Sequence, residues 1–208
     1  MAKVVGISGS QGAGKSSLLS ALITQGHHVD AFKVSRAVQS QLGWTSLDRV
    51  TESFEVMARF QDEVFNQKLL NDITLKDSDK PVIFTERTFG DIYAYTRLWT
   101  DKLVTQRRVK AIAASTFLFN FHKKCVKAQA DCYTTTVVVP MMPHLKFEFD
   151  LNRASENDIP EMYRLLMEFL GVDTYVITQK SIDDRVTETI NFLKYFLEEV
   201  PVAQPQQT

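Results

Sequence analysis

The chain has 208 residues, of which 44% are hydrophobic and 24% charged, with 24 Lys and Arg against 25 Asp and Glu. That balance excludes a disordered polyelectrolyte, and 8 Gly and 2 Cys exclude collagen-like and disulfide-scaffold chains. A net charge of −1 leaves no global positive field for nucleic acid, although a local patch can still exist.

Lys3 to Ser8 is a short apolar run of the kind buried in a parallel sheet. Gly9 to Gly14 is rich in glycine. Leu18, Leu19, Leu22 and Ile23 then recur at helical spacing, with Gly26 placed to close that helix. His27 to Phe32 reads as a second strand, followed by a short helix near 34–42. Phe54, Met57, Phe60, Val64 and Leu69 stripe a long helix. Pro81 marks the turn before a third strand, Val82 to Thr85, which runs into Glu86-Arg87. A mostly helical stretch spans about 90–130. The β-branched run from Thr134 to Val139 is a fourth strand, ended by Pro140. Residues 141–157 have no clear period. Asp158, with Glu161 three residues on, is placed to cap the next helix. Thr174 to Thr178 reads as a fifth strand, and Ile182, Val186, Ile190, Leu193 and Leu197 stripe a final helix. The alternation predicts an α/β fold around a parallel sheet, with ligands beyond the carboxyl ends of the strands. Residues 201–208 read as a flexible tail. Cys125 and Cys132 fit neither a CxxC pair nor a zinc spacing, and read as buried free thiols of a reducing, cytoplasmic compartment. No apolar run is long enough to cross a membrane.

Gly9-Ser10-Gln11-Gly12-Ala13-Gly14-Lys15-Ser16 fits G-x-x-x-x-G-K-[ST], a P-loop, and Ser17 follows it. The glycines let backbone N–H groups turn inward around phosphate oxygens, and the helix that follows aims its positive end at them. In that setting Lys15 reaches the β- and γ-phosphates of ATP, and Ser16 offers a hydroxyl to Mg²⁺. Glu86, at a strand end, is a candidate to support the metal. Arg87 is a candidate bidentate donor to phosphate or acceptor. The ordinary alternative for this pair is a surface ion pair. In the irregular segment, His144, Lys146, Glu148, Asp150 and Arg153 form a charged loop, and Arg153 is the candidate to close over the triphosphate. Arg164 is a second candidate that reads more simply as a surface residue.

From Lys102 to Ala130 no acid interrupts the bases, and Phe117, Phe119 and Phe121 lie among them. The pattern suits a nucleic-acid groove, or else a helix with core phenylalanines and solvated lysines. For the acceptor, Asp30 and Asp91 are the candidate carboxylates, and Lys33 and Arg36 are candidates to hold a phosphate. Trp44, Phe54 and Phe60 could wall a base or sit in the core.

With these motifs in place, the sequence resembles the P-loop nucleoside and nucleotide kinases: thymidylate kinases, deoxyribonucleoside kinases and nicotinamide-riboside-kinase-like proteins. The resemblance rests on Gly9–Ser16, on Val82 to Thr88, on Asp91-Ile92-Tyr93-Ala94-Tyr95 and on Asp150-Leu151-Asn152-Arg153, and spans about residues 2–198. It implies a three-layer P-loop fold, with a five-stranded parallel sheet, helices on both faces and a lid at about 141–157, in one domain over 1–200. It implies that Lys15 and Ser16 bind ATP and Mg²⁺, Glu86 supports the metal, Arg87 meets the acceptor and Arg153 is the lid arginine. Nicotinamide-riboside-kinase-like proteins often carry Glu-x-x-Arg after the second strand. Here the stretch is Lys33-Val34-Ser35-Arg36, which favours an acceptor that brings negative charge. A special case within the resemblance is the phage kinases of 5-hydroxymethyldeoxyuridine in DNA, which the basic stretch 102–127 would suit. A free nucleoside or nucleotide, a modified base in DNA, and a non-kinase NTPase are thus the three readings, and a homodimer is open in each.

Overall fold

The computed structural model describes residues 1–141, 158–171 and 174–197. Arg153, nearly all of the expected lid and the C-terminal tail lie outside the described residues. Five parallel strands form one sheet: β1 (Lys3–Ser8), β2 (His28–Asp30), β3 (Val82–Glu86), β4 (Thr135–Val138) and β5 (Tyr175–Val176), in the order β2-β3-β1-β4-β5. The α/β class and the parallel sheet are as the alternation predicts. β1 is central, pairing Ile7 with Glu86 of β3 on one side and Ser8 with Val138 of β4 on the other.

The pleat of β1 sorts the core into two layers. Val5 and Ile7 face helices α1 (Lys15–Thr24) and α7 (Ile182–Leu197), where Leu18, Leu22, Val186 and Leu193 are buried. Val4 faces the opposite layer, built from α3 (Phe54–Lys76), α4 (Phe89–Thr105), α5 (Ala111–Cys132) and α6 (Asp158–Leu170). A short α2 (Val34–Gln41) and a 3₁₀ turn (Leu47–Thr51) lie before α3.

Three boundaries differ from the sequence reading for physical reasons. The stretch near 90–130 is two helices, because the chain reverses at 106–110 with Arg107 in the left-handed region (φ 57°). The fifth strand shrinks to Tyr175–Val176, since only Val137 and Val138 pair with it. Asp158 is the first residue of α6 and binds Lys102 of α4. No helix among the described residues is long and apolar enough to cross a membrane.

A buried polar network ties α3 to the sheet. Lys68 and Asp72, both fully buried, form an ion pair of 2.9 Å. The Lys68 ammonium also donates to Thr85 Oγ1 (2.8 Å), and the Tyr133 hydroxyl donates to Asp72. Thr85 and Asn71 in turn donate to Asp30 Oδ2, at 3.1 and 2.8 Å. Cys125 and Cys132 are free and buried. Burial pushes both thiols up, Cys132 to about 11, which leaves them inert as nucleophiles at neutral pH.

Candidate functional site

The loop between β1 and α1 has the backbone that its glycines permit. Gly9, Gly12 and Gly14 all have positive φ, at 144°, 76° and 91°. At Gly9 a Cβ would stand 2.4 Å from the Val139 carbonyl oxygen, so only glycine fits between β1 and the end of β4. Lys15 curls back over the loop, its ammonium donating to the carbonyls of Gly9 (2.7 Å) and Ser10 (2.8 Å). Ser16 and Ser17 are exposed on the first turn of α1. The Ser16 hydroxyl donates to Glu86 Oε1 at 3.2 Å, across the β1–β3 pairing. Two hard oxygen donors therefore stand together beside the loop, the kind of set that suits Mg²⁺.

Asp91 has a different surrounding from the one expected of an acceptor base. It is 1% exposed. Its carboxylate accepts from the Ser8 hydroxyl (2.6 Å), the Gly9 amide (3.2 Å) and the Thr88 amide (2.8 Å). The last is an N-terminal cap of α4, with acid at the third helical position. Asp91 thus anchors the start of the P-loop to the start of α4. Asp30 points into the buried network described above.

Arg87 stands just past β3 with φ 67°, a left-handed geometry that costs a non-glycine residue about 1–2 kcal/mol. Its amide donates to the Ile7 carbonyl (2.9 Å), and its guanidinium lies 5.0 Å above the Tyr95 ring. Burial works against its charge, but Tyr95, Asp91 and Glu86 more than offset that and raise its pKa. The residue is held over two adjoining hollows. One, of about 90 Å³, is lined by Ser16, Phe32, Lys33, Ser35, Arg36 and Glu86. The other, of about 20 Å³, is lined by Leu47, Gln61, Val64, Ile92, Tyr95 and Trp99. Ser35 and Arg87 border both.

Gln61 and Trp99 have no place in the sequence reading, and Tyr95 enters it only within the motif Asp91 to Tyr95. Gln61 is 2% exposed and lines the smaller hollow, and the Tyr95 hydroxyl is buried without a hydrogen-bond partner. The available signal was a lone amide inside the apolar stripe Met57, Phe60 and Val64. Phe60 is core, stacked on Trp44 at 5.4 Å, and Phe54 packs on Phe117.

Three of the seven bases in the basic stretch are committed to structure. Lys102 pairs with Asp158 and Lys124 with Asp62, while Arg108 donates to the Thr51 carbonyl (2.6 Å). Phe121 is buried, whereas Phe119 is 60% exposed beneath the Lys123 ammonium at 4.2 Å. Phe119 borders a separate groove of about 380 Å³ with Tyr93, Arg97, Asp101 and His122. Those α4 residues lie on a different face from Ile92, Tyr95 and Trp99, so the groove is apart from the P-loop. Arg164 is a surface residue paired with Glu161 and Glu168.

Among solved structures the chain resembles a thymidylate kinase from Candida albicans, with a TM-score of 0.65 and 14% identity over 93% of this chain and 92% of that one. The fold is that of the P-loop kinases. It also resembles a NadR protein in complex with NR (TM-score 0.64, 14% identity, 96% of this chain) and one in complex with NAD and AMP-PNP (0.63, 15%, 96%). The chain spans 52% and 50% of those two NadR chains. No protein-family pattern matches the sequence, and no curated protein does.

Proposed function

We propose that this protein transfers the γ-phosphoryl group of ATP to a nucleoside or nucleotide acceptor that carries negative charge. The observation behind the reading is a shared wall. Ser16, Glu86 and Arg87 border both the P-loop and the hollow of Lys33, Ser35 and Arg36, so donor and acceptor meet across one set of side chains. Lys15 would leave the Gly9 and Ser10 carbonyls for the β- and γ-phosphates, whose charge exceeds that of two carbonyl dipoles. Ser16 and Glu86 would hold Mg²⁺ and its water shell; the ion, when bound, neutralises phosphate charge. Arg153 stands as lid arginine on the sequence resemblance alone.

On the acceptor side, Lys33, Arg36 and Arg87 supply three cations against one acid, Glu86. The acceptor oxygen attacks the γ-phosphorus as the bond to the ADP oxygen breaks. If that oxygen belongs to a phosphate, no base is required, which agrees with Asp91 and Asp30 being engaged elsewhere. The Gln61 amide and the Tyr95 and Trp99 rings offer one hydrogen-bonding edge and two flat faces to a base. The two hollows are smaller than the roughly 300–1,000 Å³ of a ligand pocket, so acceptor binding would require them to open.

A second reading, phosphorylation of a hydroxymethyl group on uracil within DNA, is favoured by exposed Phe119 beneath the Lys123 ammonium, with Lys110 and Lys127 also exposed along the same stretch. Their position on the far face of α4 from the acceptor hollows makes it the lesser reading.

The test is a transfer screen with labelled ATP over nucleosides, monophosphates and hydroxymethylated DNA, using the parent and Lys15→Ala. Acceptor-dependent label transfer that disappears in a folded Lys15→Ala protein is the expected result. Turnover that needs no acceptor would point to a non-kinase NTPase, and full turnover in Lys15→Ala would overturn the assignment.

A further inference from the structure

Behind the P-loop stands a guanidinium that phosphoryl transfer as described does not use. Arg185, in the first turn of α7, is fully buried. Its Nε donates to the Gln179 carbonyl at 3.0 Å, in the loop after β5. Its Nη1 donates to the Ala13 carbonyl at 2.9 Å, in the P-loop and 172 residues away in sequence. Nη2 is buried with no partner. No carboxylate of the described residues lies within ion-pairing distance. Burial depresses its pKa, opposed by Glu188.

A buried charge that serves packing alone is usually matched by an opposite charge, and an apolar residue of similar volume often does as well. Arg185 is matched only by carbonyl oxygens, and one of them belongs to the Ala13–Gly14 peptide. The N–H end of that peptide is on Gly14, the last glycine of the phosphate-binding loop. A cation on the carbonyl end polarises the peptide and strengthens its N–H as a donor. Gly14 is also packed on the same group, since a Cβ there would lie 3.0 Å from Nη1. The far end of the clamp is fixed as well. Glu188, one turn along α7, accepts from the amides of Thr178 and Gln179, each at 3.0 Å. One helix therefore holds the loop after β5 by its N–H groups and by a carbonyl, and reaches from there to the P-loop.

We infer that Arg185 is a positioning residue for the donor phosphates: braced on Gln179, it polarises the Ala13–Gly14 peptide and fixes that wall of the phosphate cradle without touching the nucleotide. The inference rests on the P-loop being the ATP site. Its signature is a loss of affinity that follows the phosphates and not the nucleoside.

The experiment uses the full chain, as parent, Arg185→Lys and Arg185→Met. ATP, ADP and AMP are titrated by calorimetry with Mg²⁺, and thermal unfolding is recorded for each protein. In Arg185→Met the ATP and ADP dissociation constants should rise about tenfold, the equivalent of one charge-assisted hydrogen bond, with AMP changing much less. Arg185→Lys keeps the charge and should recover part of the loss. Equal loss for all three nucleotides, or folded variants that bind ATP as the parent does, would overturn the inference. If Arg185→Met does not fold, the ratio of ATP to AMP affinity in Arg185→Lys decides: a lowered ratio supports the role and an unchanged one refutes it. A parent that binds no ATP would instead remove the donor-site reading itself, and this inference with it.

Discussion

Asp91 should be worth far more to the fold than to proton transfer, and its replacement separates the two. In Asp91→Ala the Ser8 hydroxyl, the Gly9 amide and the Thr88 amide all lose their acceptor, at a site 1% exposed to water. A hydrogen bond to a charged group contributes about 1.5–3 kcal/mol, and a helix cap about 1 kcal/mol. The three donors share one carboxylate and cannot be summed independently, so a loss of about 4 kcal/mol is the reasoned figure. With a urea slope of about 3 kcal/mol per molar, the midpoint would fall by about 1.3 M. Asp91→Asn preserves the shape but turns one acceptor into a donor, and should lose about half as much. Urea unfolding followed by far-UV circular dichroism measures both. Because Gly9 opens the P-loop, ATP affinity should fall together with stability. A folded Asp91→Asn protein of parental midpoint whose turnover is nonetheless abolished would refute the anchoring argument and restore Asp91 as an acceptor base.

Lys68→Met leaves the Asp72 charge buried with only the neutral donors Tyr133 and Asn71, and should destabilise the protein by about 3–5 kcal/mol in denaturant titration. Glu188 gives a pH test. Burial pushes its carboxyl up, but the Thr178 and Gln179 amides and the Tyr175 and Thr178 hydroxyls outweigh this and hold it below 4.5. Its contribution is therefore present above that value and lost as pH falls through the folded pKa. Glu188→Gln should be less stable at pH 7, and its stability should decline less steeply with acid. Replacing Lys33 and Arg36 together by alanine should raise the KM for a monophosphate acceptor by about tenfold or more, with little change for an uncharged nucleoside or for ATP. Loss of ATP affinity instead would move those cations to the donor side.

Local structure is most legible where the residues that set it are contiguous. Gly9 to Ser16 carries its own geometry, because the positive-φ positions, the cradle and the helix that follows are all set within eight neighbouring residues. Glu86 stands at a strand end, a place that topology makes special, and its bond to Ser16 exists only because β3 pairs with β1 in the register Ile7 to Glu86. The same adjacency brings Asp91 under Ser8 and Gly9, more than 80 residues away in sequence; read alone, an acid at the third position of a helix cannot say what else it accepts. The reversal at 106–110 had no Gly or Pro to announce it, and Arg107 takes the left-handed position that glycine would have marked.

The two hollows beside Arg87 are the least legible part, and the reason is structural. The smaller one is walled largely by α3 and α4, whose Val64, Ile92, Tyr95 and Trp99 follow their helices' apolar stripes. Tyr95 and Trp99 are four apart on α4, as core residues are. Gln61 sits one position from Phe60 and three from Val64 on α3. A wall of a site and a wall of a core have the same periodicity; they differ in whether the space they face is filled. Periodicity records only which side of a helix turns inward. What singles out this space is the Tyr95 hydroxyl, buried without a hydrogen-bond partner, next to Arg87 in its left-handed backbone geometry. Unsatisfied polar groups of that kind are rare in finished interiors, because leaving one unpaired costs about 1–3 kcal/mol. Tyr95 and Trp99 border this hollow together with Gln61 and Val64, and no helical period distinguishes that from burial in a filled core.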